Sequence, residues 1–185
     1  SLFAVDPAWC RKRLVRRFSW QNAEQARALW EAYLHNPRID PELLSAIKPN
    51  LIRAVGRTEL SRGAKKNLCR LIGFVAIQLP GEFGARDSRQ VLRRLDSGCL
   101  AQVAGALESL LGSAGDRAEG LWRTSIGPWI EETWPRDASK RTPEVADALA
   151  QVAVATGPAF PDAVSQISDY LVPAQNRVHT DFVLR

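Results

Sequence analysis

Apolar residues recur at helical spacing along almost the whole chain, and the segments between them carry helix starts and stops rather than strand signals. From Asn22 to His35, the residues Ala26, Leu29, Trp30, Tyr33 and Leu34 fall at i, i+3, i+4, i+7 and i+8, a single apolar stripe. Asn22 is placed to accept from the first-turn amides, with Gln25 as a variant capping-box partner. A second helix opens at Asp40-Pro41, presents Leu43, Leu44, Ile47, Leu51, Ile52 and Val55, and closes at Gly56; Pro49 is expected to kink or split it. A third starts near Ser61 and carries Leu68, Leu71, Ile72, Val75, Ala76 and Leu79 as far as Pro80-Gly81. Its second half is apolar on most sides, which suits a central position. Further helices are expected from Asp87, from Ser97 to a stop at Gly112, and from Asp116 to Thr133 with an interruption at Pro128. Two more run from Thr142-Pro143 to Gly157-Pro158 and from Pro161-Asp162 to Pro173, and Asp6-Pro7 announces a first one through Leu14 and Val15.

The expected fold is therefore all-α: about nine helices joined by short polar loops, consecutive ones antiparallel, forming an irregular α-α superhelix of the HEAT or armadillo kind. No repeat with a period of about 34 to 47 residues is visible in the residues themselves. A single helical domain over residues 1–185 is expected, with Gly112-Ser113-Ala114-Gly115 as the candidate flexible joint. The start at Ser1, the absence of methionine and the apolar ending Phe182-Val183-Leu184-Arg185 lead to the expectation of a piece of a longer protein.

Several function classes are disfavoured. No apolar run approaches the roughly 20 residues that span a bilayer, and no signal-peptide pattern opens the chain, so a cytoplasmic protein without a membrane partner is expected. Cys10, Cys69 and Cys99 are odd in number and far apart, which excludes a disulfide framework and a four-thiolate zinc site from these residues; each sits among apolar positions and reads as core. His35 and His179 are the only imidazoles and have no evident catalytic partner. The phosphate-loop, dinucleotide, nucleophile-elbow and zinc-protease motifs are all absent. Ser61-Arg62-Gly63-Ala64-Lys65-Lys66 lacks the second glycine and the hydroxyl of a phosphate loop. Gly81-Glu82-Phe83-Gly84 reads as an interhelical turn, and Glu131, Glu132 and Asp137 as solvated helix-end carboxylates. Neither enzymatic activity nor a cofactor or metal is expected of this segment.

Charge is the strongest functional signal. Residues 1–70 carry 14 Lys/Arg against 6 Asp/Glu, whereas residues 71–185 carry 11 against 14. Arg11, Lys12, Arg13, Arg16 and Arg17 fall in one helix, with Arg13, Arg16 and Arg17 on one face, and Arg62, Lys65, Lys66 and Arg70 form a second group at helical spacing. These faces suit an acidic surface of a partner or neighbouring domain, or a phosphate backbone through counterion release. Of the six tryptophans, Trp20 and Trp134 lie between helices. There a ring either seals a joint, the favoured reading, or faces a partner.

Several stretches carry a resemblance: Phe18-Ser19-Trp20, Ala26-Arg27-Ala28-Leu29-Trp30-Glu31-Ala32-Tyr33-Leu34, Pro37-Arg38-Ile39, Leu43-Leu44-Ser45-Ala46-Ile47-Lys48-Pro49, Trp129-Ile130-Glu131-Glu132-Thr133-Trp134-Pro135 and Thr156-Gly157-Pro158-Ala159-Phe160-Pro161-Asp162-Ala163-Val164. Together they resemble a bacterial helical domain found near the C-terminus of large proteins with a sirtuin-like N-terminal part, a group associated with anti-phage defence. The resemblance implies that NAD hydrolysis belongs to another module, and that this one senses, scaffolds or oligomerises. No sirtuin-like nucleotide-binding motif occurs in the chain.

Overall fold

The computed structural model describes Asp6 and residues 9–172, apart from the side chains of Cys10 and Arg11. The expected helix start at Pro7, the stop at Pro173, His179, the Cys10 thiol and the Arg11 guanidinium lie outside the described residues. Those described are helical, with no strand among them, and no helix among them is long and apolar enough to cross a membrane.

Helix α1 spans Ala23–His35, and the Asn22 side chain accepts from the Gln25 amide at 3.0 Å, as the local spacing requires. Trp30 and Leu34 on its apolar stripe are fully buried. The hydroxyl of half-buried Tyr33 donates to the Arg38 carbonyl at 3.0 Å and fastens the following loop; partial burial, with Asp40 nearby, pushes its pKa up to about 12. Helix α2 spans Pro41–Ala54 and is capped by Asp40, whose carboxylate accepts from the Leu43 amide at 3.0 Å. Asp40→Ala is expected to lower stability by about 1 kcal/mol, read as a lower urea midpoint at unchanged m-value.

Pro49 does not split α2. Both Pro49 and Ser45, whose carbonyl loses its helical donor, lie on the exposed face, where water can satisfy that carbonyl. Gly56 follows at φ 87, the left-handed residue expected at this end.

Helix α3 spans Arg62–Gln78, capped by Ser61, and α4 spans Ala85–Leu92. The latter begins two residues before the expected Asp87, because that carboxylate is drawn away to Lys48 at 3.1 Å. Helix α5, Ser97–Ala114, is capped by Asp96 rather than Ser97, with the Asp96 carboxylate 2.7 Å from the Cys99 amide. It runs through Gly112 instead of stopping there. Buried Leu111 and core-packed Ala114 hold its last turn, so three of the four residues of the expected joint are helical; Gly115, at φ 54, then turns the chain.

A 3-10 turn at Gly115–Arg117 and a single α-turn at Ala118–Leu121 lead into a π turn, Trp122–Ile126, and then α6, Gly127–Thr133. The Gly127 amide reaches the Trp122 carbonyl five residues back, and this widened turn lets the chain pass Pro128 without ending the helical passage. Helix α7, Pro143–Ala155, is capped by Thr142, and α8 spans Phe160–Ile167, starting one residue before the expected Pro161. The N-terminal basic segment departs from the expected α-helix. It forms a π turn, Cys10–Leu14, followed by a 3-10 turn, Val15–Phe18.

Many helix contacts skip one element, although α7 also packs on α8 and α3 touches α4. Helix α1 packs on α3, α3 on α5 and α5 on α7, while α4 packs on α6 and α6 on α8. The broadest contacts are those of α5 with α7 and with α3, so α5 shares the centre with α3, whose second half is largely buried as expected. Five side-chain links, Lys48–Asp87, Val55–Arg94, Arg70–Ser109, Arg123–Asp162 and Gly127–Gln166, each span 39 residues, whereas others range from the 30 of Ser61–Glu31 to the 45 of Lys140–Leu95. Moving from Lys48 to Val55 along α2 moves the partner from Asp87 to Arg94, so α2 runs in the same direction as the segment it touches.

Candidate interaction surface

The N-terminal cations converge on one feature. Exposed Lys12, Arg13, Arg16 and Arg17 line a shallow groove of about 380 Å³. Lys12 and Arg13 stand on the π turn and Arg16 and Arg17 on the 3-10 turn that follows, so the run reaches one groove without the α-helical face expected of it. Phe18 anchors the segment: it is buried edge-on against Trp30, with centroids 4.8 Å apart at 72°, and lies 5.7 Å from Tyr33. The Trp30 indole N–H also donates to the Phe18 carbonyl at 3.1 Å. The flexible cationic side chains thus stand on a rigid aromatic base.

Arg16 also lines an adjoining groove of about 530 Å³ with Gln21, Pro49, Asn50 and Arg53. Arg53 belongs to α2 and was not among the sequence candidates. Its local pattern is that of an ordinary last-turn cation, and only the packing of α2 beside the basic turn brings it there. Among the described residues, none of Lys12, Arg13, Arg16, Arg17 and Arg53 pairs with a carboxylate. Trp9, about half exposed, sits a few residues ahead of them.

The second basic group is divided. Arg62 and Lys66 are exposed on α3, but Arg70 turns into the fold and donates to the Ser109 hydroxyl at 3.2 Å. Lys65 is half buried and lines a cavity of about 190 Å³ together with Cys69, Cys99, Arg57, Arg94 and Asp96. The expected second basic face is thus divided between exposed Arg62 and Lys66 and the inward-leaning Lys65 and Arg70.

Both interhelical tryptophans are interior. Trp20 is 8% exposed, stacks on Trp30 at 6.5 Å with planes 4° apart, and donates to the Asn50 carbonyl at 3.2 Å; the Arg57 guanidinium stands 5.0 Å from its ring. Trp134 is 4% exposed and meets Trp129 edge-on at 6.3 Å. The structure places both as seals of joints and leaves neither facing a partner.

The remaining candidates have structural tasks. Glu132 pairs with Arg89 at 3.6 Å, and Asp137 caps a turn through the Ser139 amide at 2.9 Å, hydrogen bonds that hold its carboxyl below the usual range. The turn at residues 81–84 buries Phe83 completely and offers the Glu82 carbonyl to Lys48. Among the described residues, no group of three or more His, Cys, Asp or Glu side chains is placed to hold a metal ion.

No family model, curated protein or solved structure matches this chain. The grooves, the buried aromatics and the cysteine cavity are therefore read from their own chemistry.

Proposed function

We propose that this chain is a non-catalytic recognition module, a stack of helical hairpins of the HEAT or armadillo kind that holds an acidic protein surface in its N-terminal cationic groove. The observation that carries the reading is the set of four exposed cations, Lys12, Arg13, Arg16 and Arg17, lining one groove with no carboxylate partner among the described residues. Unpaired like charges gathered on a rigid base repel one another, and an acidic partner relieves that repulsion while steering association. The helix contacts that skip one element, together with five side-chain links that span 39 residues, support a stacked-hairpin architecture, in which each unit touches chiefly its neighbours. The free thiols Cys69 and Cys99 support a reducing, cytoplasmic setting.

The resemblance to the helical part of sirtuin-like defence proteins supports a partner within the same parent protein, with this module as its sensing or oligomerising part and NAD consumption lodged elsewhere. A nucleic-acid reading would need a longer basic track. The diversion of Arg70 and Lys65 into the fold removes the second half of such a track and favours a compact acidic protein surface.

The test is fluorescence anisotropy with a Glu/Asp-rich peptide and, separately, a short DNA duplex, each titrated from low to physiological salt. Peptide binding that weakens with salt, and that falls at least about tenfold when Arg13, Arg16 and Arg17 are all replaced by Glu, is the expected result. Duplex binding with a linear log–log salt dependence and no peptide binding would replace this reading by the nucleic-acid one.

A further inference from the structure

Cys69 and Cys99 lie 30 positions apart and read individually as small core residues, yet they line the same cavity of about 190 Å³. Cys69 comes from the middle of α3 and is 1% exposed; Cys99 comes from the first turn of α5 and is partly exposed. One helical turn further along both helices, α3 and α5 approach as closely as glycine permits. A Cβ on Gly73 would stand 2.9 Å from both the Val103 carbonyl oxygen and the Ala106 methyl. The two cysteines therefore sit beside a close helix crossing, in a cavity large enough for a few water-sized groups.

The surroundings separate the two thiols chemically. The Cys99 amide is bound by the Asp96 carboxylate at the start of α5, where the free amides of the helix favour negative charge. A hydrogen bond with Cys69 lowers the Cys99 pKa, and Lys65 lowers it further against the opposing effects of burial and Asp96. That hydrogen bond, together with burial and the neighbouring negative charge, raises the Cys69 pKa. Arg94 completes the wall, fixed by donation to the Ile52 and Val55 carbonyls at 3.1 and 2.8 Å, and Arg57 lies beside it.

We propose that Cys99 and Cys69 form a peroxide-sensitive dithiol, in which Cys99 is the attacking thiol and Cys69 the resolving one. The Cys99 thiolate attacks the terminal oxygen of a hydroperoxide; the O–O bond breaks, and the departing alkoxide takes a proton and leaves as an alcohol, or as water from hydrogen peroxide. Cys99 becomes a sulfenic acid. Conversion of the thiolate to a neutral group removes the charge that held Cys69 protonated, and the Cys69 sulfur then attacks the Cys99 sulfur. The S–O bond breaks, the hydroxide combines with the Cys69 proton to leave as water, and a disulfide links α3 to α5. Two electrons pass from the two thiols to the peroxide, and a thiol reductant restores the pair. Lys65 favours the thiolate, Asp96 is the facing carboxylate, and Arg94 and Arg57 line the same cavity.

The test is a non-reducing tryptic map of the folded protein after a hydrogen peroxide pulse. The expected product joins peptide 67–70 to peptide 95–117 with the loss of two hydrogens and disappears on reduction. In Cys69→Ser, Cys99 should instead be labelled by dimedone; in Cys99→Ser, Cys69 should remain unlabelled. The rate of iodoacetamide alkylation at Cys99 should inflect at a lower pH than that of a free cysteine thiol. Direct conversion of Cys99 to sulfinic acid in the native protein with no 67–70/95–117 link, or a link involving the peptide that carries Cys10, would overturn the proposal. The native map decides the question even where Cys69→Ser impairs folding.

Discussion

Trp30→Ala is expected to destabilise the protein by about 3–5 kcal/mol, the range for truncating a fully buried aromatic, with a fall in melting temperature on the order of 10 °C. The side chain is completely buried and is the hub of an aromatic cluster: Phe18 meets its edge at 4.8 Å, Trp20 stacks on it at 6.5 Å, and Tyr33 stands 6.1 Å away. Its indole N–H satisfies the Phe18 carbonyl, so alanine both opens a cavity and leaves a buried acceptor without its donor. Differential scanning calorimetry gives the magnitude, and near-UV circular dichroism should lose much of its tryptophan signal. Because Phe18 also anchors the basic turn, the same variant should weaken acidic-peptide binding without altering a single charge. A Tm within about 2 °C of the parent protein's would show that the cluster does not hold the fold.

Gly73→Ala is the second large effect, and its sign is opposite to the one helix propensity predicts. Position 73 lies in the interior of a 17-residue helix, where alanine is intrinsically favoured over glycine by about 1 kcal/mol. The added methyl, however, would stand 2.9 Å from a backbone oxygen of α5 as well as from the Ala106 methyl. Backbone cannot rotate aside as a side-chain tip can, so α3 and α5 must separate, at a cost of about 1–3 kcal/mol or more for overpacking. The net result is destabilisation, read by chemical denaturation. As an internal control, Gly63→Ala in the same helix has open space around its new methyl and should be neutral or stabilising. Stabilisation by both substitutions would mean that the crossing is looser than described. Widening that crossing should also slow disulfide formation at the adjacent cysteines.

Local signals carried well from sequence to structure, and non-local ones did not. Asn22, Asp40, Ser61 and Thr142 cap where the sequence places caps, because a cap is settled within three residues of chain. Asp87 has the same local appearance, yet its carboxylate is engaged by Lys48, 39 positions away, and the helix starts without it. Gly112 looks like a stop but is held in α5 by the burial of its neighbour Leu111, which a stop signal does not encode. At the candidate surface, the run Lys12 to Arg17 was legible because it is contiguous. Arg53 was not, since its membership depends on α2 lying beside the basic turn. Arg70 shows the converse: its spacing places it with the basic group, and the structure adds a bond to the Ser109 hydroxyl that no local pattern announces. The cysteine cavity depends wholly on how α3 and α5 cross, and nothing within either helix alone announces it.

In the stacked-hairpin architecture proposed above, the five side-chain links that share one reach would have a mechanical meaning. When fastenings recur at one stride along the chain, a pull on the two ends loads them in series, so the weakest gives way while the rest remain closed. Such a molecule would lengthen in steps, each releasing about one stride of chain, and would recoil by the same route when the load is removed. The links Lys48–Asp87, Arg70–Ser109 and Arg123–Asp162 are rungs of such a ladder. A bond between Cys69 and Cys99 would shorten it by making one step unable to open.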